Sequence, residues 1–145
     1  MKRLMIILLC FIGMQTAAMA DYDKPINVKQ LPAAAQQTLA KSFKGKKVAL
    51  AKKETGVLSC SYDVIFTNGD KIEFDKSGNW TEIDCKHSAV PAALVPSAIS
   101  KYVKAHYPGK KILQIEKDRR NYEVELSGGL EITFNQKFQV VDIDN

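Results

Sequence analysis

Cysteine and histidine are scarce in this chain. Three Cys and two His among 145 residues leave little material for a metal or redox centre. Cys85-x-His87 offers two ligands where a zinc site needs three or four. The sequence contains no C-x-x-C, H-E-x-x-H or G-x-S-x-G pattern and no phosphate-cradling glycine loop, which excludes the corresponding redox, metalloprotease, hydrolase and nucleotide-binding chemistries. With 8 Gly, 5 Pro and 46% hydrophobic residues, the composition is globular. Charge of neither sign dominates. A surplus of 21 Lys and Arg over 16 Asp and Glu gives +5, too modest to argue for nucleic acid. Lys44, Lys46, Lys47, Lys110 and Lys111 are read instead as cations that complement helix C-termini.

Only one apolar run is long. Leu4 to Met14 spans eleven residues after Lys2 and Arg3, and Ala18-Met19-Ala20 forms an A-x-A cleavage pattern before Asp21. This is the order of an export signal, and the run falls short of the ~20 residues that cross a bilayer. Residues 1–20 are therefore expected to be a signal peptide and residues 21–145 the mature domain, periplasmic or secreted. No membrane span is expected after cleavage. Loss of Lys2 and Arg3 lowers the net charge from +5 to +3.

The two halves of the mature sequence align. Leu31-Pro32 through Glu54 matches Val95-Pro96 through Asp118, which brings Ala35, Leu39 and Phe43 onto Ile99, Val103 and Tyr107. After a four-residue shortening, Tyr62, Val64, Phe66, Gly69, Ile72 and Phe74 match Tyr122, Val124, Leu126, Gly129, Ile132 and Phe134. Agreement in helix, glycine and strand positions together indicates a duplication, with repeats over about 26–85 and 90–145. Each unit opens with a proline suited to a helix start and an i, i+4 apolar stripe. Alternating strands then follow around Asn68-Gly69 and Gly78, or around Gly128-Gly129. The expected fold is α+β: tandem duplicated units of one helix plus a four-stranded antiparallel sheet, with helices on one face and the other face open.

These residues carry a resemblance. Leu31-Pro32, Gly45-Lys46, Tyr62-x-Val64, Asn68-Gly69, Ile72-x-Phe74-Asp75, Gly78-x-Trp80, Val95-Pro96 and Tyr107-Pro108 resemble the exported bacterial beta-lactamase-inhibitor-like, PepSY-like proteins over nearly the whole mature chain. The resemblance implies a tandem fold similar to beta-lactamase inhibitory protein, whose open sheet face grips a partner. It brings no catalytic residues and no cofactor, and the inhibitor-like name reflects likeness of fold.

Strand parity adds a surface. If Tyr62, Val64, Phe66, Ile72, Phe74 and Ile83 face the helices, alternation turns their neighbours to the open face. Those neighbours include Asp63, Glu73, Asp75, Glu82 and Asp84, then Glu123, Glu125, Glu131, Asp142 and Asp144. The same parity sets Ile65 and Trp80, the single tryptophan, among them. Two readings of this face stand together. Charged residues on an exposed strand face discourage stray edge pairing, and the same charges steer a cationic partner while an exposed Trp anchors it. The expected function is a non-enzymatic exported binding module, inhibitor-like in fold, that holds an envelope protein or peptide. Its site is Trp80, Ile65, Asp63, Glu73, Glu82, Asp84, Glu123 and Glu125. The alternatives are a calcium-binding envelope protein, which needs six to eight converging oxygens, and a hydrolase using paired acids such as Glu82 and Asp84.

Cys60 and Cys85 set compartment against geometry. Export favours a disulfide, but sequential hairpins centred on Asn68-Gly69 and near Ser77 put the two cysteines at opposite ends of a three-strand meander. Their separation is then roughly 25 Å, against the ~7 Å between alpha carbons that a disulfide tolerates. Thiol titration of the denatured, non-reduced mature protein should therefore return two equivalents, and none would refute the meander.

Overall fold

The computed structural model describes residues 22–145; the export signal assigned to residues 1–20 lies outside the described residues. The elements follow in the order β1 (Tyr22–Ile26), α1 (Ala33–Ser42), β2 (Val48–Thr55), β3 (Cys60–Phe66), β4 (Lys71–Asp75), β5 (Trp80–Asp84), α2 (Ser97–His106), β6 (Ile112–Lys117), β7 (Asn121–Leu126), β8 (Glu131–Asn135) and β9 (Val140–Asp144). All nine strands form one sheet in sequence order, and every neighbouring pair is antiparallel.

This corrects the expected architecture of tandem helix-plus-four-strand units. The described residues form a single nine-stranded antiparallel sheet carrying two ten-residue helices. Pairing of β5 with β6, through Glu82–Glu116, Ile83–Ile115 and Asp84–Gln114, makes the sheet continuous. A four-stranded unit would have left the outer backbone groups of β5 unpaired and Ile83 at an edge. The additional strand is β1, which pairs Ile26 with Ala51 and Lys24 with Lys53. Its Pro25 fits an edge, where a missing N–H costs no ladder bond. With that proline and two charges in five residues, β1 shows no alternation to read.

One face of the sheet is dry. A cross-strand row runs Ala51, Val64, Ile72, Ile83, Ile115, Val124, Ile132, each at most 4% exposed. Leu31, Ala35, Leu39 and Phe43 from α1 and its flanks, with Ile99 and Val103 from α2, complete the same core. Pro32 and Pro96 stand immediately before the helices, where no intrahelical N–H is required. The connector contributes as well, since Val90 and Val95 are buried.

Cys60 opens β3 and Cys85 follows the end of β5, and both are free thiols. Cys85 is fully buried; burial, reinforced by the nearby Asp70 carboxylate, pushes its pKa up to about 11.

Two local devices pin the first half of the sheet. The turn between β4 and β5 has Gly78 at φ +87°, and a Cβ there would lie 2.8 Å from Pro32 Cβ and 2.9 Å from the Ala35 amide nitrogen. Absence of a side chain thus lets the turn press against the start of α1. Asp70, 1% exposed, accepts hydrogen bonds from Lys46 Nζ at 2.9 Å, Ser88 Oγ at 2.6 Å, Asn68 Nδ2 at 2.9 Å and the His87 amide at 3.2 Å. It ties the loop after α1, the β3–β4 turn and the connector to α2. Lys46, just past the C-terminus of α1, binds Asp70 through its ammonium, which also lies 5.6 Å from the Phe43 ring centroid.

Burial alone would raise the Asp70 pKa, but hydrogen bonds from Ser88, Lys46, Asn68 and the His87 amide outweigh it and hold the carboxyl at about 2. A carboxyl depressed in the folded state contributes stability that is complete above its unfolded pKa near 4 and lost as pH falls through the folded value. Between pH 5 and 2 the wild type should lose about 2 kcal/mol more stability than Asp70→Asn, read by denaturant unfolding; parallel profiles would refute this role.

Gly129, at φ +93° with nothing near its Cβ position, is the control for Gly78. Gly129→Ala should cost about 1–2 kcal/mol for the left-handed backbone alone. Gly78→Ala should cost about 1–3 kcal/mol beyond that from overpacking on α1. Equal losses would mean that the turn is not pressed against the helix.

Candidate functional site

The face of the sheet turned away from the core row is assembled from polar side chains at alternate positions. Strand pairing aligns them in two adjacent rows. One runs Lys52, Asp63, Glu73, Glu82, Glu116, Glu123, Thr133, Asp142, and the other Leu50, Ile65, Lys71, Asp84, Gln114, Glu125, Glu131, Asp144. Directly opposed side chains in such rows lie about 5 Å apart at Cβ, so carboxylates from strands distant in sequence share one field.

The β2–β4 end of this face is internally compensated. Asp63 is 2% exposed and meets Lys71 Nζ at 2.9 Å and Lys52 Nζ at 3.6 Å. Lys52 also binds Glu54 and, at 3.1 Å, Asp23. Hydrogen bonds from Lys52 to Glu54 and Asp23 raise its pKa. Burial opposes the Lys71 ammonium, yet its bond to Asp63 and the charges of Asp63, Glu73 and Glu82 raise its pKa. Glu73 is pushed up, first by burial and then by Asp63. Asp63 is therefore a buried counter-ion and offers little surface to a partner. Ile65 does reach the open face, between Leu50 and Lys71.

From β5 onward the face turns acidic. Glu82, Glu116, Glu123 and Asp142 lie in one row and Asp84, Glu125, Glu131 and Asp144 in the other. Lys86 approaches Glu125 at 3.7 Å, and Gln114 Nε2 donates to Glu82 Oε1 at 2.6 Å. Gln114 Oε1 is buried without a hydrogen-bond partner. A cavity of about 140 Å³ opens on this end, lined by Glu116, Asp118, Asn121, Glu123, Glu131, Thr133, Asp142 and Asp144. At its rim, Asp118 accepts from the amides of Arg120 and Asn121 at 2.7 and 2.8 Å, bonds that lower its pKa. Among the described residues, no group of three or more His, Cys, Asp or Glu is arranged to hold a metal ion.

Trp80 stands elsewhere. A bulge at Thr81 sets Trp80 opposite Phe74, so the ring packs against the helix-side core with Lys117 Nζ 4.1 Å from its centroid. Burial lowers the Lys117 pKa. Strict alternation from Ile83 back to Trp80 gave the opposite face, because a bulge inserts one residue and reverses parity. Asp75 spends its Oδ1 on the amides of Ser77 and Asn79 and so closes a turn. Sequence reasoning missed Lys52, Gln114 and Glu116. The run Gln114-Ile115-Glu116 carried the signal, an apolar residue between two polar ones, but required the partner strand β5 to be known. Of the residues named from sequence, the structure brings Glu82, Asp84, Glu123 and Glu125 onto one acidic surface, places Asp63, Glu73 and Ile65 at its compensated end, and removes Trp80.

No helix among the described residues is long and apolar enough to cross a membrane. No curated protein matches the chain. Among solved structures, a Bacteroides thetaiotaomicron protein described as a "putative calcium-regulated periplasmic protein" is 56% identical, with a TM-score of 0.83 over 85% of this chain and 97% of its own. A Bacteroides vulgatus periplasmic protein of the DUF2874 family is 60% identical, with a TM-score of 0.84 over 87% of this chain and 99% of its own. A second periplasmic protein from Bacteroides vulgatus is 40% identical, with a TM-score of 0.80 over 86% of this chain and all of its own. The shared description places this chain in the periplasm with them. Residues 60–142 match the family described as "Putative beta-lactamase-inhibitor-like, PepSY-like", and by that match, together with these relatives, the chain belongs to that family.

Proposed function

We propose that this protein is a non-enzymatic periplasmic binding module that holds a cationic protein or peptide partner on the β5–β9 end of its open sheet face. The observation that carries this reading is the segregation of charge. A chain of net charge +5, or +3 without Lys2 and Arg3, gathers acids into two adjacent cross-strand rows on that face. At physiological salt, charges beyond about 8 Å are screened, so a partner approaching this face meets its acids and not the lysines elsewhere. Such a surface favours association rate and partner choice. The inhibitor-like description of the family supports binding over catalysis.

Calcium is the second reading. It is favoured by the description of the 56% identical relative as calcium-regulated and by the unpartnered Gln114 Oε1 beside Asp84 and Glu125, since calcium takes carbonyl and carboxylate oxygens together.

Titration of the ¹⁵N-labelled mature protein with a short oligolysine should move amide resonances on β5–β8, with affinity falling at least tenfold between 50 and 200 mM salt. The Glu123→Lys/Glu125→Lys variant should lose that binding while keeping its melting temperature within a few degrees. Shifts scattered over the molecule, or an unchanged variant, would refute the reading. A calcium-dependent rise in melting temperature with no oligolysine binding would put the second reading in its place.

A further inference from the structure

The sheet ends at β9, whose side away from β8 pairs with no strand among the described residues. Elsewhere in the molecule the same local arrangement is covered. On β5, Glu82-Ile83-Asp84 lies against Glu73, Ile72 and Lys71 of β4 on one side and against β6 on the other. There Ile83 faces Ile115 and is fully buried. On β9, Asp142-Ile143-Asp144 lies against Thr133, Ile132 and Glu131 of β8 in the same register. Yet Ile143, the last member of the dry isoleucine and valine row, is 46% exposed, and its neighbour Val141 is 54% exposed.

We propose that the β9 edge receives an extended segment of a partner whose side chains alternate basic, apolar, basic, adding a tenth strand to the sheet. The proposal deepens the reading of the acidic face and rests on it. Strand addition draws affinity from main-chain hydrogen bonds and specificity from alternate side chains. An apolar residue opposite Ile143 would do for it what Ile115 does for Ile83. The residues on either side would lie beside Asp142 and Asp144, in the rows that already hold Glu123, Glu125 and Glu131, where cross-strand opposite charges stabilise and like charges destabilise.

That charge pattern also selects against copies of this chain. Antiparallel pairing of two β9 strands centred on Ile143 would set Asp142 opposite Asp144 twice. The other exposed edge, β1, carries Pro25, which has no N–H to give a ladder. Acidic residues on an exposed edge thus guard it against self-association while leaving it open to a basic strand.

The test uses the mature protein and a blocked Lys-Ile-Lys-Ile-Lys peptide, compared with the same peptide N-methylated at alternate amides, which keeps the charges and side chains but removes the ladder donors. The unmethylated peptide should bind at least tenfold more tightly and should slow hydrogen exchange of β9 amides. Ile143→Lys, at a half-exposed position, should abolish that preference with its melting temperature retained. Equal binding of both peptides, with shifts confined to β5–β8, would overturn strand addition and leave the acidic-face reading standing. Binding of neither would overturn both. A dimer of the protein alone that Ile143→Lys dissolves would assign the edge to a second copy and overturn the proposal.

Discussion

The seam between β5 and β6 is the constraint from which the rest of the structure follows. Three residue pairs join there, and the central one sets Ile83 against Ile115, so the apolar row continues from Ala51 to Ile132 without a break. Two smaller sheets lying side by side would each have exposed an edge at this point and drawn water to two isoleucines. Both helices can therefore share one core, with Phe43 and Leu39 from α1 and Ile99 and Val103 from α2 in the same cluster. Buried polar contacts reinforce the arrangement, with Asp70 holding the connector that carries the chain from β5 to α2.

The same seam creates the acidic surface on the opposite face. A register that puts isoleucine against isoleucine also puts Glu82 beside Glu116 and Asp84 beside Gln114, because side chains alternate with period two. Like charges directly opposed across strands are unfavourable, and nearby lysines and amides offset them. Lys52 and Lys71 flank the buried Asp63 at the β2–β4 end, and at β5–β9 Gln114 donates a hydrogen bond to Glu82 and Lys86 approaches Glu125.

Family membership narrows the compartment and the fold more than the role. The 56% and 60% identical relatives are periplasmic and superimpose over most of this chain, and the description of one as calcium-regulated belongs to that protein.

Much was readable from the sequence because its causes are local. The apolar i, i+4 stripes fixed two helices, the glycines at 69 and 129 fixed tight turns, and period-two alternation assigned Val64, Ile72, Ile83, Val124 and Ile132 to the core and Glu82, Asp84, Glu123 and Glu125 to the open face. What tertiary structure decided was non-local. The joining of the halves into one sheet depends on β5 finding β6 across an intervening helix, which no short-range pattern specifies. The place of β1 depends on an available edge beside β2, since its own five residues show no alternation. Trp80 faces the core because the backbone bulges at Thr81, and a single inserted residue reverses the parity on which the sequence argument stood. Asp63 is buried instead of displayed because Lys52 and Lys71, distant in sequence from one another, are brought to either side of it by strand pairing, and only the assembled sheet sets that balance of desolvation against charge.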